Sequence, residues 1–319
     1  MNPIADKTFA VTGAAAGIDA QIAQVLEALE AMPPMESMTL EQLRGVYPPP
    51  GQREPVGEVL DLAAPGPGGA IPVRCYRPQV QACPGLTVFF HGGGFVIGSI
   101  ESHDAVCRQL CNLTGAAVLS VEYRLAPEHK FPAALDDCLH AVRWAAQQAP
   151  AWGADPEKLV LAGDSAGGTL AAVTALRLRD EGGPKPAGQV LVYPVTDYHT
   201  PPTPSYLENQ NGYFLTRGAM IRFWKEYLAR EEDAAHPHAA PLRADDLGGL
   251  PPALVLTAQF DPLRDEGERF AHRLLDAGVP VTLRRLDGLI HGFFRMSAVS
   301  DKADRAVQKT ALWIRRAMN

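Results

Sequence analysis

The stretch Gly163-Asp164-Ser165-Ala166-Gly167-Gly168 decides the fold of this chain. Residues 159–162, just before it, are all apolar and predict a short buried strand. Residues 170–178, just after it, place leucine and valine at helical spacing, and Gly182-Gly183-Pro184 ends that helix. A strand, a sharp glycine turn and a helix match the G-x-S-x-G elbow, which exposes a serine hydroxyl at the end of a sheet. Ser165 is therefore predicted to be a nucleophile.

The glycines of this turn have a steric reason. Gly163 and Gly167 are expected where the strand and the helix approach too closely for side chains, with Ser165 in a strained backbone conformation. Because the chain has 29 glycines, the motif alone also fits an ordinary serine in a glycine turn. The rest of the sequence has to decide between these two interpretations.

The composition excludes several classes of partner. The 319 residues are 46% hydrophobic and 20% charged, as in a globular protein with a large core. The net charge of -7 and the lack of a basic run argue against nucleic acid or an anionic membrane as a partner. No apolar run reaches the roughly 18 residues of a membrane span. Asp6 and the lack of a long apolar stretch near the start argue against a signal peptide, so the cytoplasm is the predicted location.

The cysteines predict neither disulfides nor a metal site. There are five, an odd number: Cys75, Cys83, Cys107, Cys111 and Cys138. Cys107 and Cys111 could share a helical face, but no second pair and no histidine completes a metal set. We interpret all five as buried small residues in a reducing compartment.

Strands and helices alternate along most of the chain. Segments on either side of the turn-rich residues 65–69 predict an antiparallel hairpin within 56–78. Further strands are predicted at 86–90, 117–122, 159–163, 190–193, 253–258 and 281–286. Helices are predicted at 103–114, 133–148, 166–180, 265–277 and 303–317. This order predicts an α/β fold, with a mostly parallel central sheet of about eight strands flanked by helices on both faces.

Two segments lie outside this alternation. Residues 1–50 are predicted to form N-terminal cap helices, and Pro48-Pro49-Pro50-Gly51 leads into a main domain over 51–319. Residues 196–250 form a long insertion rich in Tyr, Phe and Trp, with a helix predicted at 216–229. We predict a cap or lid over a pocket, although an extra packed helix explains the same pattern.

Asp261 and His291 each follow one of the last two predicted strands. The order Ser165, Asp261, His291 is the order of α/β-hydrolase triads. His291 is predicted to take the serine proton as general base and return it to a leaving alcohol. Asp261 would hold the imidazole in the right tautomer and stabilise the imidazolium. Asp197 follows an earlier strand and is an alternative acid, but the motif around Asp261 favours Asp261.

A glycine loop supplies donors for a developing oxyanion. His91-Gly92-Gly93-Gly94 follows the strand at 86–90, and residues without side chains let backbone N–H groups point at the negative charge. The N–H of Ala166, the residue after the elbow serine, is predicted to add another donor. Asp164 and His103 are given structural roles, with His91 and His103 hydrogen bonding around the loop.

Five motifs together resemble a known family. They are HGGGF at 91–95, YRLAPEHKFPAALDD at 123–137, GDSAGG at 163–168, DPLRDEG at 261–267 and IHGFF at 290–294. They are similar to those of the bacterial hormone-sensitive-lipase-like carboxylesterases, family IV of the α/β-hydrolase superfamily. The similarity runs from about residue 55 to the end of the chain, so residues 51–319 are expected to form an α/β-hydrolase catalytic domain.

The resemblance implies a serine carboxylesterase that hydrolyses short- to medium-chain esters without a metal or a cofactor. It also implies Gly93, Gly94 and Ala166 as the oxyanion donors, with Gly92 more structural. The partner is then a small-molecule ester. A homodimer is common in the family.

Two other functions compete with this one. Residues 11–18 resemble the nucleotide loop of short-chain dehydrogenases, but Asp19 replaces the last glycine and no Tyr-x-x-x-Lys occurs in the chain. The second alternative is a non-catalytic small-molecule-binding homologue. Plant gibberellin receptors resemble the family and have lost the histidine base, which this sequence keeps as His291. Ester hydrolysis is therefore favoured over both alternatives.

Overall fold

One eight-stranded sheet runs through the residues that the computed structural model describes, 17–47 and 53–319. Its strands are β1 (Glu58–Gly66), β2 (Gly69–Arg77), β3 (Leu86–Phe90), β4 (Ala117–Val121), β5 (Leu159–Asp164), β6 (Gly188–Val192), β7 (Ala253–Phe260) and β8 (Val281–Ile290). Their order across the sheet is β1-β2-β4-β3-β5-β6-β7-β8. β2 pairs antiparallel with β1 and β4, and the other neighbours are parallel. The predicted α/β fold with a mostly parallel sheet is confirmed.

Helices cover both faces of this sheet. The described helices are α1 (Ala20–Leu29), α2 (Leu40–Arg44), α3 (Ile100–Thr114), α4 (Ala133–Gln148), α5 (Ala166–Glu181), α6 (Pro204–Glu208), α7 (Arg217–Tyr227), α8 (Arg264–Asp276) and α9 (Asp301–Ala317). One buried cluster joins α4, α5 and α8 to the sheet, and a second joins α3 and α9 to its other face. In β3, Val88 and Phe90 belong to the first cluster and Phe89 to the second, as alternation along a strand requires. Burial on both faces explains why the central strands β3 to β6 are mostly apolar.

The predicted boundaries differ most at the last strand. The prediction ended it at residue 286, and Asp287-Gly288 is a common turn pair. β8 instead continues to Ile290, with Gly288 at φ +80. The pairing with β7 shifts register just before Phe260, which lies opposite Ile290. This irregularity allows Gly288 to lie within the strand, so that His291 follows directly after the strand end.

The N-terminal helices and the insertion at 196–250 are in contact. Arg222 of α7 donates through Nη1 to the carbonyl oxygens of Met35 (2.7 Å) and Met38 (2.6 Å). These two hydrogen bonds from a partly buried arginine tie the segments together, because they pair polar groups of both.

The predicted division into a cap at 1–50 and a catalytic domain at 51–319 stays a prediction. Residues 11–16 of the nucleotide-loop pattern and the predicted linker at 48–51 lie outside the described residues. Within the described ranges, no helix combines the length and the apolar character needed to cross a membrane.

All five cysteines are buried free thiols, as predicted. Burial raises the pKa of Cys75 and Cys111 to about 12, so both stay protonated and unreactive at neutral pH. Over residues 17–47 and 53–319, no group of three His, Cys, Asp or Glu side chains could hold a metal ion.

Candidate active site

The serine elbow lies between β5 and α5. Ser165 has φ 55 and ψ -123, in a region that residues with side chains rarely adopt. A Cβ on Gly163 would overlap the carbonyl oxygen of Gly167, and a Cβ on Gly167 would overlap that of Phe90. The predicted close approach of strand and helix is therefore present. Rigid neighbours hold the strained serine, and its hydroxyl projects beyond the sheet.

Ser165, His291 and Asp261 lie in one hydrogen-bonded row. His291 Nε2 is 3.0 Å from Ser165 Oγ, and His291 Nδ1 is 2.8 Å from Asp261 Oδ2. Asp261 Oδ1 accepts a hydrogen bond from the Leu263 N–H at 2.9 Å, so both carboxyl oxygens have partners. Asp261 is fully buried, whereas Ser165 and His291 each keep 6% of their surface exposed. The row is thus shielded at its acid end and reachable at its serine end.

Asp197, the alternative acid, points elsewhere. Its Oδ1 accepts hydrogen bonds from Arg243 Nε at 2.6 Å and from the Tyr198 N–H at 2.8 Å. Both partners, Tyr198 and Arg243, belong to the insertion at 196–250. The structure therefore groups Asp261, and not Asp197, with the histidine.

Tyr193, which the sequence analysis missed, packs against the histidine. It follows β6 with φ 36, and its ring centroid lies 4.4 Å from that of His291. Its hydroxyl donates to Asp164 Oδ2 at 3.3 Å. The only sequence signal was a tyrosine at the last position of a predicted strand, at the edge where Ser165, Asp261 and His291 were expected.

The glycine loop at 92–94 is fixed to the elbow by Asp164. The Gly92 N–H donates to Asp164 Oδ1 at 2.9 Å, so this glycine is structural. Gly93 and Gly94 have φ 126 and 60, and neither N–H makes a hydrogen bond within the described residues. Ala166 is the first residue of α5, where an N–H has no partner within the helix. Among the described residues, these three N–H groups thus have no hydrogen-bond partner, and they lie on the loop attached to the elbow and at the start of α5.

Two histidines support this loop from behind. The Tyr123 hydroxyl donates to the His91 carbonyl oxygen at 2.6 Å, and the Tyr123 and His91 rings stack at 4.2 Å. His103 Nε2 lies 3.1 Å from Asp164 Oδ1. Burial lowers the pKa of His91 to about 3 and also lowers the pKa of His103, so both rings are neutral near pH 7. His91, His103 and Asp164 all contact the glycine loop or its supports, as expected of residues with structural roles.

Asp164 remains ionised despite being buried. Burial alone would raise its pKa, but the close contact with His103 Nε2 and the positive charge of Arg295 leave the pKa below its usual value. A carboxylate accepts hydrogen bonds more strongly than a carboxylic acid does. Asp164 can therefore hold Gly92 firmly against the elbow.

Helix α7 of the insertion covers the same loop. A Cβ on Gly94 would overlap the ring of Phe223, and Tyr227 stacks on Phe95 with centroids 3.8 Å apart. Lys130 Nζ donates to three carbonyl oxygens at the C-terminal end of α7, those of Lys225, Glu226 and the C-cap residue Leu228, at 2.9–3.3 Å. A cation is favourable at this end of a helix dipole. The motif at 123–137, to which Lys130 belongs, thus anchors the helix that lies over the glycine loop.

A mostly parallel sheet with a strained serine between a strand and a helix defines an α/β hydrolase. Comparison with known proteins agrees, because the family described as alpha/beta hydrolase fold matches residues 87–295. The chain is 46% identical over 245 residues to the carboxylic ester hydrolase LipN of Mycobacterium tuberculosis, a match that covers 75% of this chain and 65% of LipN. The matched part of this chain therefore spans slightly less than two thirds of the length of LipN.

Two further relatives match over more of their length. Esterase LipI of Mycobacterium tuberculosis is 43% identical over 271 residues, covering 82% of this chain and 84% of LipI. The structure of a hyperthermophilic esterase from the archaeon Pyrobaculum calidifontis superposes with a TM-score of 0.89 at 41% identity, covering 94% of this chain and 98% of that chain. The chain belongs to the hormone-sensitive-lipase-like carboxylesterases of the α/β-hydrolase superfamily, and it is a carboxylic ester hydrolase.

Proposed function

We propose that this enzyme hydrolyses short- to medium-chain carboxylic esters through an acyl-enzyme formed on Ser165. The observation that carries the proposal is the row of contacts from Ser165 Oγ to His291 (3.0 Å) and from His291 to Asp261 (2.8 Å). Neutral serine is a weak nucleophile, and a base within hydrogen-bond reach is what activates it.

The proton is transferred twice in each half of the reaction. His291 Nε2 takes the Ser165 proton as Oγ attacks the ester carbonyl, and then gives it to the leaving alcohol. In the second half, His291 takes a proton from water, and the hydroxide attacks the acyl-serine. The proton then returns to Ser165 Oγ as the carboxylic acid leaves. Asp261 stabilises the imidazolium at each stage.

The oxyanion of each tetrahedral intermediate would be held by the N–H groups of Gly93, Gly94 and Ala166. The unpaired state of these donors among the described residues supports this role. The Ser165 N–H is not available to the oxyanion, because it donates to the Val192 carbonyl oxygen at 2.8 Å. Preorganised donors stabilise negative charge well because they need no reorientation during the reaction.

Gly94→Ala is expected to lower kcat by about 10²–10³-fold, the cost of losing one oxyanion donor. The new methyl group would overlap Phe223 at a position with φ 60, so the loop has to move. Gly278→Ala is the matched control, because Gly278 has φ 81 with no atom near the added Cβ. Rates on p-nitrophenyl butyrate and circular dichroism would be measured for both. Equal rates for Gly94→Ala and the parent would contradict the expected displacement of the loop, because alanine keeps the backbone N–H and only a shift of the loop removes it from the oxyanion.

The substrate class is tested with p-nitrophenyl esters from acetate to palmitate. We expect the highest kcat/KM among the acetyl to octanoyl esters. Fastest hydrolysis of the palmitate, with activation at a lipid interface, would replace the esterase proposal by a lipase. A stoichiometric burst of p-nitrophenol followed by a steady rate reports an acyl-enzyme that turns over. A protein that only binds esters gives neither the burst nor the steady rate. The cytoplasmic location and the homodimer stay predictions.

A further inference from the structure

A short segment of the insertion contacts the loop that carries Asp261, and the mechanism above does not use it. We call residues 203–209 the clamp segment and residues 261–265 the acid loop. The clamp segment contains α6, which Thr203 caps, and ends at Asn209. It lies about 55 residues before the acid loop along the chain, so only the tertiary fold brings the two together.

Ser205 makes three hydrogen bonds to the acid loop. Its Oγ donates to the Pro262 carbonyl oxygen at 2.7 Å. Its N–H donates to Asp265 Oδ2 at 2.8 Å, and the Asp265 N–H lies 3.2 Å from Ser205 Oγ. Ser205 is fully buried, so water cannot replace these partners. This one side chain therefore fixes both ends of the turn after Asp261.

Asn209 contacts Asp261 itself. Its Nδ2 donates to the Asp261 carbonyl oxygen at 3.3 Å, and its side chain is 3% exposed. At the outer side of the same contact, Glu208 and Arg264 form an ion pair of 2.8 Å. The clamp segment thus holds the acid loop from the buried carbonyl of Asp261 to the surface.

The beginning of the insertion is hydrogen-bonded to Glu266, which directly follows the acid loop in the motif at 261–267. Glu266 Oε1 accepts hydrogen bonds from the N–H groups of Thr196 (2.8 Å) and Asp197 (3.3 Å). Glu266 is fully buried, and a buried carboxyl group without such partners is costly. The contacts at 205–209 are therefore part of a continuous attachment of the insertion to residues 261–266.

The acid loop has few restraints of its own. Within it, the Leu263 N–H donates to Asp261 Oδ1 at 2.9 Å and the Arg264 N–H to the Asp261 carbonyl oxygen at 3.2 Å. These bonds shape the turn but do not attach it to the rest of the protein. Its position relative to His291 depends on β7, on α8, whose first two residues belong to the loop, and on the clamp segment. A displacement of about 1 Å in such a support can cost roughly 10²-fold in rate.

We propose that Ser205 and Asn209 are positioning residues that hold the backbone of Asp261 and Pro262, so that the Asp261 carboxylate meets His291. The insertion then serves the chemistry as well as covering the glycine loop. This inference rests on the proposed function, in which Asp261 orients the histidine.

The test compares Ser205→Ala and Asn209→Ala with the parent on p-nitrophenyl butyrate. We expect kcat to fall by up to about 10²-fold while KM stays within experimental error, because the ester-binding groups are untouched. Asn211→Ala is the matched control, since Asn211 is exposed two residues further along the chain and should leave kcat unchanged. Ser205→Ala removes a single oxygen atom, so it is the milder change if Asn209→Ala folds poorly.

The same two changes made in an Asp261→Asn background separate positioning from general damage. If both residues act through the Asp261 carboxylate, they lower kcat no further once that carboxylate is gone. Equal losses in the two backgrounds, or an unchanged kcat in the first, would overturn the proposal. Full activity of Ser165→Ala would instead overturn the proposed function itself, so the two failures are distinguishable.

Discussion

Ser165→Ala is expected to reduce kcat on p-nitrophenyl butyrate by about 10⁶-fold, because loss of a serine nucleophile in a working triad costs roughly this much. Alanine leaves His291 without the hydroxyl that lies 3.0 Å from Nε2, and no acyl-enzyme can form. Binding of the ester should persist, since the donors of the glycine loop are unchanged. The measurement is steady-state hydrolysis together with the size of the p-nitrophenol burst, which should disappear.

Ser297→Ala serves as the control, because Ser297 lies six residues after His291 in the chain but takes no part in the row of contacts. It should hydrolyse the ester at the parent rate. A reagent that phosphonylates active serines provides a second measurement, and peptide mass analysis should find the adduct on Ser165 alone. Hydrolysis by Ser165→Ala at the parent rate would show that another group attacks the ester.

The elements around this serine were predictable because local chemistry marks each of them. β3 and α4 have the predicted bounds, and α5 begins at Ala166 as expected. Strands buried on both faces are short apolar runs, and glycine or proline ends the helices between them. Periodicity and turn residues are therefore enough to predict the order of the elements, and the α/β fold follows from that order.

The contacts that support the site could not be predicted in the same way. Ser205 meets Pro262 across 57 residues of chain, and Tyr193 meets His291 only because β6, β7 and β8 lie side by side. A serine in a loop or a tyrosine after a strand is common in any protein. Such residues gain their roles from tertiary packing, which composition and spacing do not encode locally.

The last strand shows a third kind of limit. Asp287-Gly288 has the composition of a turn, yet β8 continues through it to Ile290. The shift of register against β7 supplies the local distortion that a glycine at φ 80 requires. Pairing with a neighbouring strand thus overrides a turn signal, and the position of His291 depends on that pairing.

Asp261→Asn is expected to lower kcat by about 10⁴-fold with little change in KM, the loss seen when an amide replaces a triad carboxylate. Asparagine has nearly the same shape, and its Oδ1 can still accept the Leu263 N–H. Its amide group can donate to His291 Nδ1, which favours the tautomer with a proton on Nε2. That nitrogen then cannot take the proton of Ser165.

Asp197→Asn is the matched control, because Asp197 was the alternative acid in the sequence. Its ion pair with Arg243 at 2.6 Å lies near the surface, where such pairs contribute little to stability, so kcat should be unchanged. A large loss for Asp197→Asn and none for Asp261→Asn would move the acid to the end of β6. Aspartate and asparagine have nearly the same shape, so a loss of kcat without unfolding cannot come from altered packing at position 261. Such a loss reports the negative charge and the histidine tautomer that Asp261 supplies to His291.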